Sequence, residues 1–122
     1  MVALTAVGLD SCEMHVVRIA ASGEPRDWML LARGWSEDDW DAATERLCSR
    51  GWLAADGGLT AHGRDEHDRL EALTDRLAQE PLERLGVDGC AALLAALDAV
   101  AAAVGASGQI PYPNPIGLSP PA

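Results

Sequence analysis

The chain has 122 residues and a mass of 12.8 kDa, which suits one domain and leaves too little for two independent cores. Its 19 acidic and 9 basic side chains give a formal charge of −10. The molecule as a whole therefore repels nucleic-acid phosphate and anionic lipid, and neither a nucleic-acid nor a membrane partner is expected. A hydrophobic share of 48% without any Phe excludes a disordered acidic tail, and the abundance of Ala favours close-packed helices over a β-sandwich. No uninterrupted run of 18 apolar residues is present, and the start lacks the basic stretch and cleavage site of a secretory signal, so the expected location is cytoplasmic. Cys12, Cys48 and Cys90 form no C-x-x-C pair, which points to reduced thiols and to neither a disulfide frame nor a zinc site.

In chain order, residues 3 to 21 carry Val7, Cys12, Met14, Val17 and Ile19 among few polar groups, which predicts a first, largely buried helix stopped by Gly23 and Pro25. Pro25 suits the opening of a second helix that runs to about Ala32 and is closed by Gly34. Ser36 with Asp39 three residues on resembles a capping box, and Trp40, Ala43 and Leu47 continue the helical spacing to about Arg50. Trp40 and Trp52 fall at positions expected to bury. The run 52–54, the turn-forming Asp56-Gly57-Gly58 and Leu59-Thr60 predict a small β-hairpin. Thr60 then caps a long helix with the apolar stripe Leu70, Leu73 and Leu77, ending near Pro81. A last helix from Asp88 carries Leu93, Leu94, Leu97, Val100 and Val104 between alanines, a pattern that suits a helix–helix interface. Residues 107–122 hold five of the seven prolines and read as an extended tail following a domain of residues 1–106.

Three helices, a hairpin and a long helix form the order of a winged-helix domain. The segments Gly34-Trp35-Ser36-Glu37-Asp38-Asp39-Trp40-Asp41, Arg50-Gly51-Trp52-Leu53, Gly58-Leu59-Thr60-Ala61-His62-Gly63-Arg64, Leu73-Thr74-Asp75 and Pro111-Tyr112-Pro113-Asn114-Pro115-Ile116-Gly117-Leu118 resemble an actinobacterial family of MarR-like winged helix-turn-helix proteins. The likeness spans most of the chain and matches the C-terminal half of the longer members. It implies a mostly α fold with a small β-hairpin. It also implies a crevice between the recognition lobe and the terminal helices, where MarR-like proteins hold small aromatic or phenolic ligands. A homodimer through helices around 3–21 and 88–104 is expected.

A recognition helix needs donors and positive charge, yet residues 36 to 50 set Glu37, Asp38, Asp39, Asp41 and Glu45 against Arg46 and Arg50, a balance of −3. On that count a small-molecule protein outranks a DNA reader. The leading expectation is a cofactor-independent enzyme of polyketide-like specialised metabolism, acting by acid–base dehydration, conjugate addition or cyclisation on a largely apolar substrate. A ligand-responsive regulator is the alternative.

His15, His67 and Glu71 are the candidate proton carriers, since a histidine and a carboxylate one helical turn apart can share a proton near neutral pH. His15 could face a cleft or sit on the surface paired with Glu13 or Asp10. His62, with Glu66 four residues on, is expected in a surface ion pair. Arg18 or Arg64 could hold an enolate-like charge. Trp28 and Trp35 could wall the ligand crevice. Tyr112 and Asn114, set between prolines, could present a phenol and an amide to a ligand or latch a neighbouring subunit. The His62, Glu66, His67 spacing lacks the order of a zinc motif, so no metal is expected. No phosphate-cradling glycine loop or nucleophile elbow is present, and no cofactor is expected.

Overall fold

The computed structural model of the protein describes residues 7–111, 114 and 116. Four helices follow one another: α1 Ser11–Ser22, α2 Arg26–Arg33, α3 Glu37–Ser49 and α4 Ala61–Ala106. The chain forms two compact units, Met1–Asp75 and Arg76–Ala122. Their boundary falls inside α4.

Local chemistry sets the ends of the first three helices. At α1, the Asp10 side chain accepts from the Glu13 backbone N–H at 2.8 Å, and Glu13 Oε2 accepts from the Asp10 backbone N–H at 2.8 Å. This reciprocal box starts the helix later than the apolar pattern alone predicts. Gly23 ends α1 and Gly34 ends α2 in the left-handed conformation, with φ of 71° and 72°, which glycine adopts without steric cost. Pro25 stands just outside α2, whose carboxyl end carries Arg33. Ser36 and Asp39 form the expected box on α3.

The core of the first unit gathers Leu9, Cys12, Val16 and Val17 from α1 and its approach, Met29 and Leu30 from α2, and Trp40, Ala43 and Leu47 from α3. Trp52, Leu53 and Leu70 complete it. Trp40 and Trp52 are both buried, as their positions predict. The principal helix contact is α1 against α3.

The expected β-hairpin is corrected. Among the described residues there is no strand, only one antiparallel bridge between Leu53 and Leu59. Gly51, at φ 73°, still belongs to the exit from α3, where Trp52 N–H donates to Leu47 O at 2.9 Å. On the far side, Thr60 Oγ1 already accepts from Gly63 N–H at 2.9 Å as the cap of α4. Too few residues remain between these two caps for strands, and the winged-helix reading loses its wing. The fold is mostly α.

α4 also departs from expectation, because it passes through Pro81 and breaks at Gly86, where φ is 71° and ψ 172°. That backbone conformation is essentially reserved to glycine. Most of the following helix is solvent-facing: Val87, Leu94 and Val100 are 86%, 64% and 57% exposed. An 18-residue window of α4 has a mean hydropathy of 1.9. By length and composition alone this helix could cross a membrane, although Asp98 interrupts the apolar run that a residue-by-residue reading requires.

Candidate functional site

Two helices joined by a tight turn, α2, Gly34 to Ser36 and α3, present an outer surface. Its outward stripe on α3 consists of Asp38, Ala42, Glu45 and Ser49, all exposed and spaced by helical turns. Buried Trp40, Ala43 and Leu47 hold the opposite side on the core.

Three of the five acids of this helix have partners within the fold. Arg26 pairs with Glu37 and lies 3.6 Å from Asp41 Oδ1, and its guanidinium stands over the Trp40 ring at 5.7 Å. The Arg26 partnership holds the Glu37 carboxyl below its ordinary pKa. Ser36 does the same for Asp39, through its hydroxyl and its backbone N–H. Among the described residues only Asp38 and Glu45 of the five acids lack an ion pair or a capping role.

The arginines are committed as well. Arg46 Nε donates to Glu13 Oε1 at 2.9 Å and Nη2 to Asp10 Oδ2 at 2.5 Å. Arg50 donates to the carbonyls of Gly8 and Val7 at 3.0 and 2.8 Å. Glu13 is a buried carboxylate, its side chain 5% exposed, so these donors are what make its charge tolerable inside the lobe. Sequence reading missed Glu13, whose only local signal is the box with Asp10.

A second feature lies between α1 and the start of α4. Met14, Arg18, Ala21 and Ser22 of α1 and His67 and Glu71 of α4 line a hollow of about 430 Å³. The structure thus brings Arg18, His67 and Glu71 together. The polar neighbour of His67 is Asp68, with Nδ1 and Oδ1 3.5 Å apart, and Arg18 pairs with Glu24 at 3.3 Å.

His15 does not line that hollow. Its Nδ1 accepts from the Trp35 indole N–H at 3.1 Å, and burial, with Arg33 and Arg18 nearby, lowers its pKa from the ordinary histidine value. The imidazole is therefore held neutral, with Nδ1 as the bare nitrogen. Trp28 and Trp35 are half-buried and pack against the core. Arg64 donates to Leu59 O at 2.6 Å and secures the bridge turn. His62 sets its ring edge-on to Trp52 at 6.5 Å, while Glu66 pairs with Arg69, so the expected His62–Glu66 pair is replaced. Asn114 is buried and its carboxamide oxygen accepts from Ile116 N–H at 3.3 Å. Tyr112 lies outside the described residues, and among the described ones no cluster of three metal-ligating side chains occurs.

Comparison with known proteins decides how the α2–turn–α3 unit is understood. A family model described as a helix-turn-helix family matches residues 1–111. This chain belongs to the helix-turn-helix family. No curated protein and no solved structure gives a significant match. Membership overturns the expectation of no nucleic-acid partner, because a helix-turn-helix places its second helix against base edges. That expectation came from summing formal charges along the sequence; in the fold Arg26 offsets part of the charge of Glu37 and Asp41, and the Ser36 cap holds Asp39 ionised in place.

Proposed function

We propose that this helix-turn-helix protein is a DNA-binding transcriptional regulator of MarR-like type that responds to a small molecule. The family match over residues 1–111 carries the reading, supported by an α3 whose outer stripe is free of core contacts. The enzyme expected from the sequence has no counterpart in that match, and His15, bonded to Trp35, is not among the residues that line the hollow of His67 and Glu71.

The stripe on α3 offers base edges mainly acceptors. Asp38 and Glu45 suit the N4 amino group of cytosine, and the Ala42 methyl suits the thymine methyl. With Arg46 and Arg50 committed to the lobe itself, few phosphates are neutralised by α3, so affinity should depend only shallowly on salt.

Selection from a random duplex library at low salt tests this. The expected outcome is an enriched sequence whose cytosine positions are lost in the Asp38→Ala and Glu45→Ala variants. Failure to enrich any sequence, with the protein folded, would overturn the regulator.

A further inference from the structure

One side chain ties α1 to the turn between α2 and α3. Trp35 stands in that turn, one residue before the Ser36 cap that starts α3. Its backbone N–H donates to Leu30 O of α2 at 3.1 Å. Its indole N–H donates to His15 Nδ1 of α1 at 3.1 Å, with the two rings tilted and their centroids 6.0 Å apart. Both residues are half-buried.

The chemistry of this contact works in one direction. An indole nitrogen only donates, and an imidazole nitrogen accepts only while it carries no proton. Neutral His15 with its proton on Nε2 makes the bond, whereas the imidazolium sets two N–H donors against each other. The charged groups that act on the ring are Arg33 of α2 and Arg18 of α1, both cationic, while the Ser11 carbonyl of α1 favours the proton. Asp10, Asp38 and Asp39 border a cavity together with Trp35, yet among the described residues no carboxylate acts on His15. No counter-charge therefore offsets the lost bond once the ring is protonated.

We propose that the bond between Trp35 and His15 is an acid-released latch on the turn that carries α3. With the ring neutral, the latch fixes Trp35, and through it the Ser36 cap, against α1. A proton taken up at Nδ1 breaks it, and the turn is then held by backbone contacts to α2 alone. The inference deepens the regulator reading and rests on it for one consequence: α3, the helix whose outer stripe faces DNA in that reading, is less firmly set in acid, so DNA binding weakens. The latch itself requires no DNA.

Heteronuclear NMR of the full chain from pH 7.5 to 5 tests the latch in the free protein. The neutral ring should carry its proton on Nε2. The Trp35 indole N–H should be protected from exchange at pH 7.5 and should lose that protection with the midpoint of the ring itself, below about 6.5. His15→Asn, whose carboxamide oxygen takes the place of Nδ1 and accepts at every pH, should keep the indole N–H protected throughout. Affinity for the duplex enriched by selection should fall about three- to tenfold over the same range in the wild type, the worth of one hydrogen bond, and that fall should vanish in His15→Asn. A neutral ring with its proton on Nδ1, an indole N–H indifferent to the titration of His15, or an equal loss of affinity in His15→Asn would each overturn the latch. An indole released together with the titration of His15 in a protein that selects no DNA would sink the regulator and keep the latch. DNA selection by a protein whose indole N–H ignores pH would do the reverse.

Discussion

The first unit and the helix beyond Gly86 handle apolar surface in opposite ways. Among the described residues every buried hydrophobic side chain lies between Leu9 and Leu70, where three short helices, the bridge and the start of α4 close over one another. Beyond Gly86, Leu93, Leu94, Leu97, Val100 and Val104 are all more than 40% exposed. The difference teaches that apolar periodicity specifies which face of a helix seeks burial and says nothing about whether the same chain supplies the cover.

Paired truncations break this comparison most directly. Leu47, fully buried on α3, should lose about 3 kcal/mol of unfolding free energy as Leu47→Ala. Leu94→Ala should stay within about 0.5 kcal/mol in dilute solution. Urea unfolding at two protein concentrations reads both. A Leu94→Ala loss that grows with concentration would mean that copies of the chain cover this face.

The charged seam between α1 and α3 belongs to the first unit alone and should give the next largest effect. Glu13→Ala takes one partner from half-exposed Arg46, which keeps Asp10, and removes half of the capping box, at a cost of about 2 kcal/mol. Glu13→Gln should recover part of that, because the amide still accepts.

Gly63 sharpens the picture at the entrance to α4. A Cβ there would stand 2.1 Å from the Trp52 carbonyl oxygen, so Gly63→Ala must push the helix off the bridge turn and lose about 2 kcal/mol. Half-buried Gly89, whose added Cβ would meet only the flexible Leu85 side chain, should tolerate alanine better. Thermal melts of the two variants compare them.

A smaller effect concerns pH. The folded pKa of His15 is lowered by burial and by Arg33 and Arg18, while in the unfolded chain it returns to about 6.5. Above that value both states hold a neutral ring and stability is unaffected. As pH falls below about 6.5 the unfolded chain takes up a proton that the folded chain refuses, so stability drops until the folded pKa is passed. Chemical denaturation from pH 7.5 to 5 should show this extra slope in the wild type and lose it in His15→Gln. An identical slope in both proteins would remove His15 as its source.

How far the sequence reaches depends on distance along the chain. The box of Ser36 and Asp39, the terminating Gly23 and Gly34, and the burial of Trp40 and Trp52 were all legible, since caps and helical faces act over three or four residues. The hairpin was not. Asp56-Gly57-Gly58 did form a turn, but the exit of α3 and the Thr60 cap had already claimed its arms. Arg18, His67 and Glu71 were legible as types, and only packing of α1 against the start of α4 placed them around one hollow.

Sequence by itself determined the order of the first three helices, the Ser36 and Thr60 caps and the total charge, because each follows from local backbone chemistry or simple addition. Tertiary structure alone decided what that charge does. Arg46 meets Glu13 across 33 residues and Arg26 meets Glu37 across 11, and no local pattern encodes either pairing. Whether α3 repels a phosphate backbone is therefore a property of the folded lobe, where acids and arginines distant in sequence are brought within hydrogen-bonding reach.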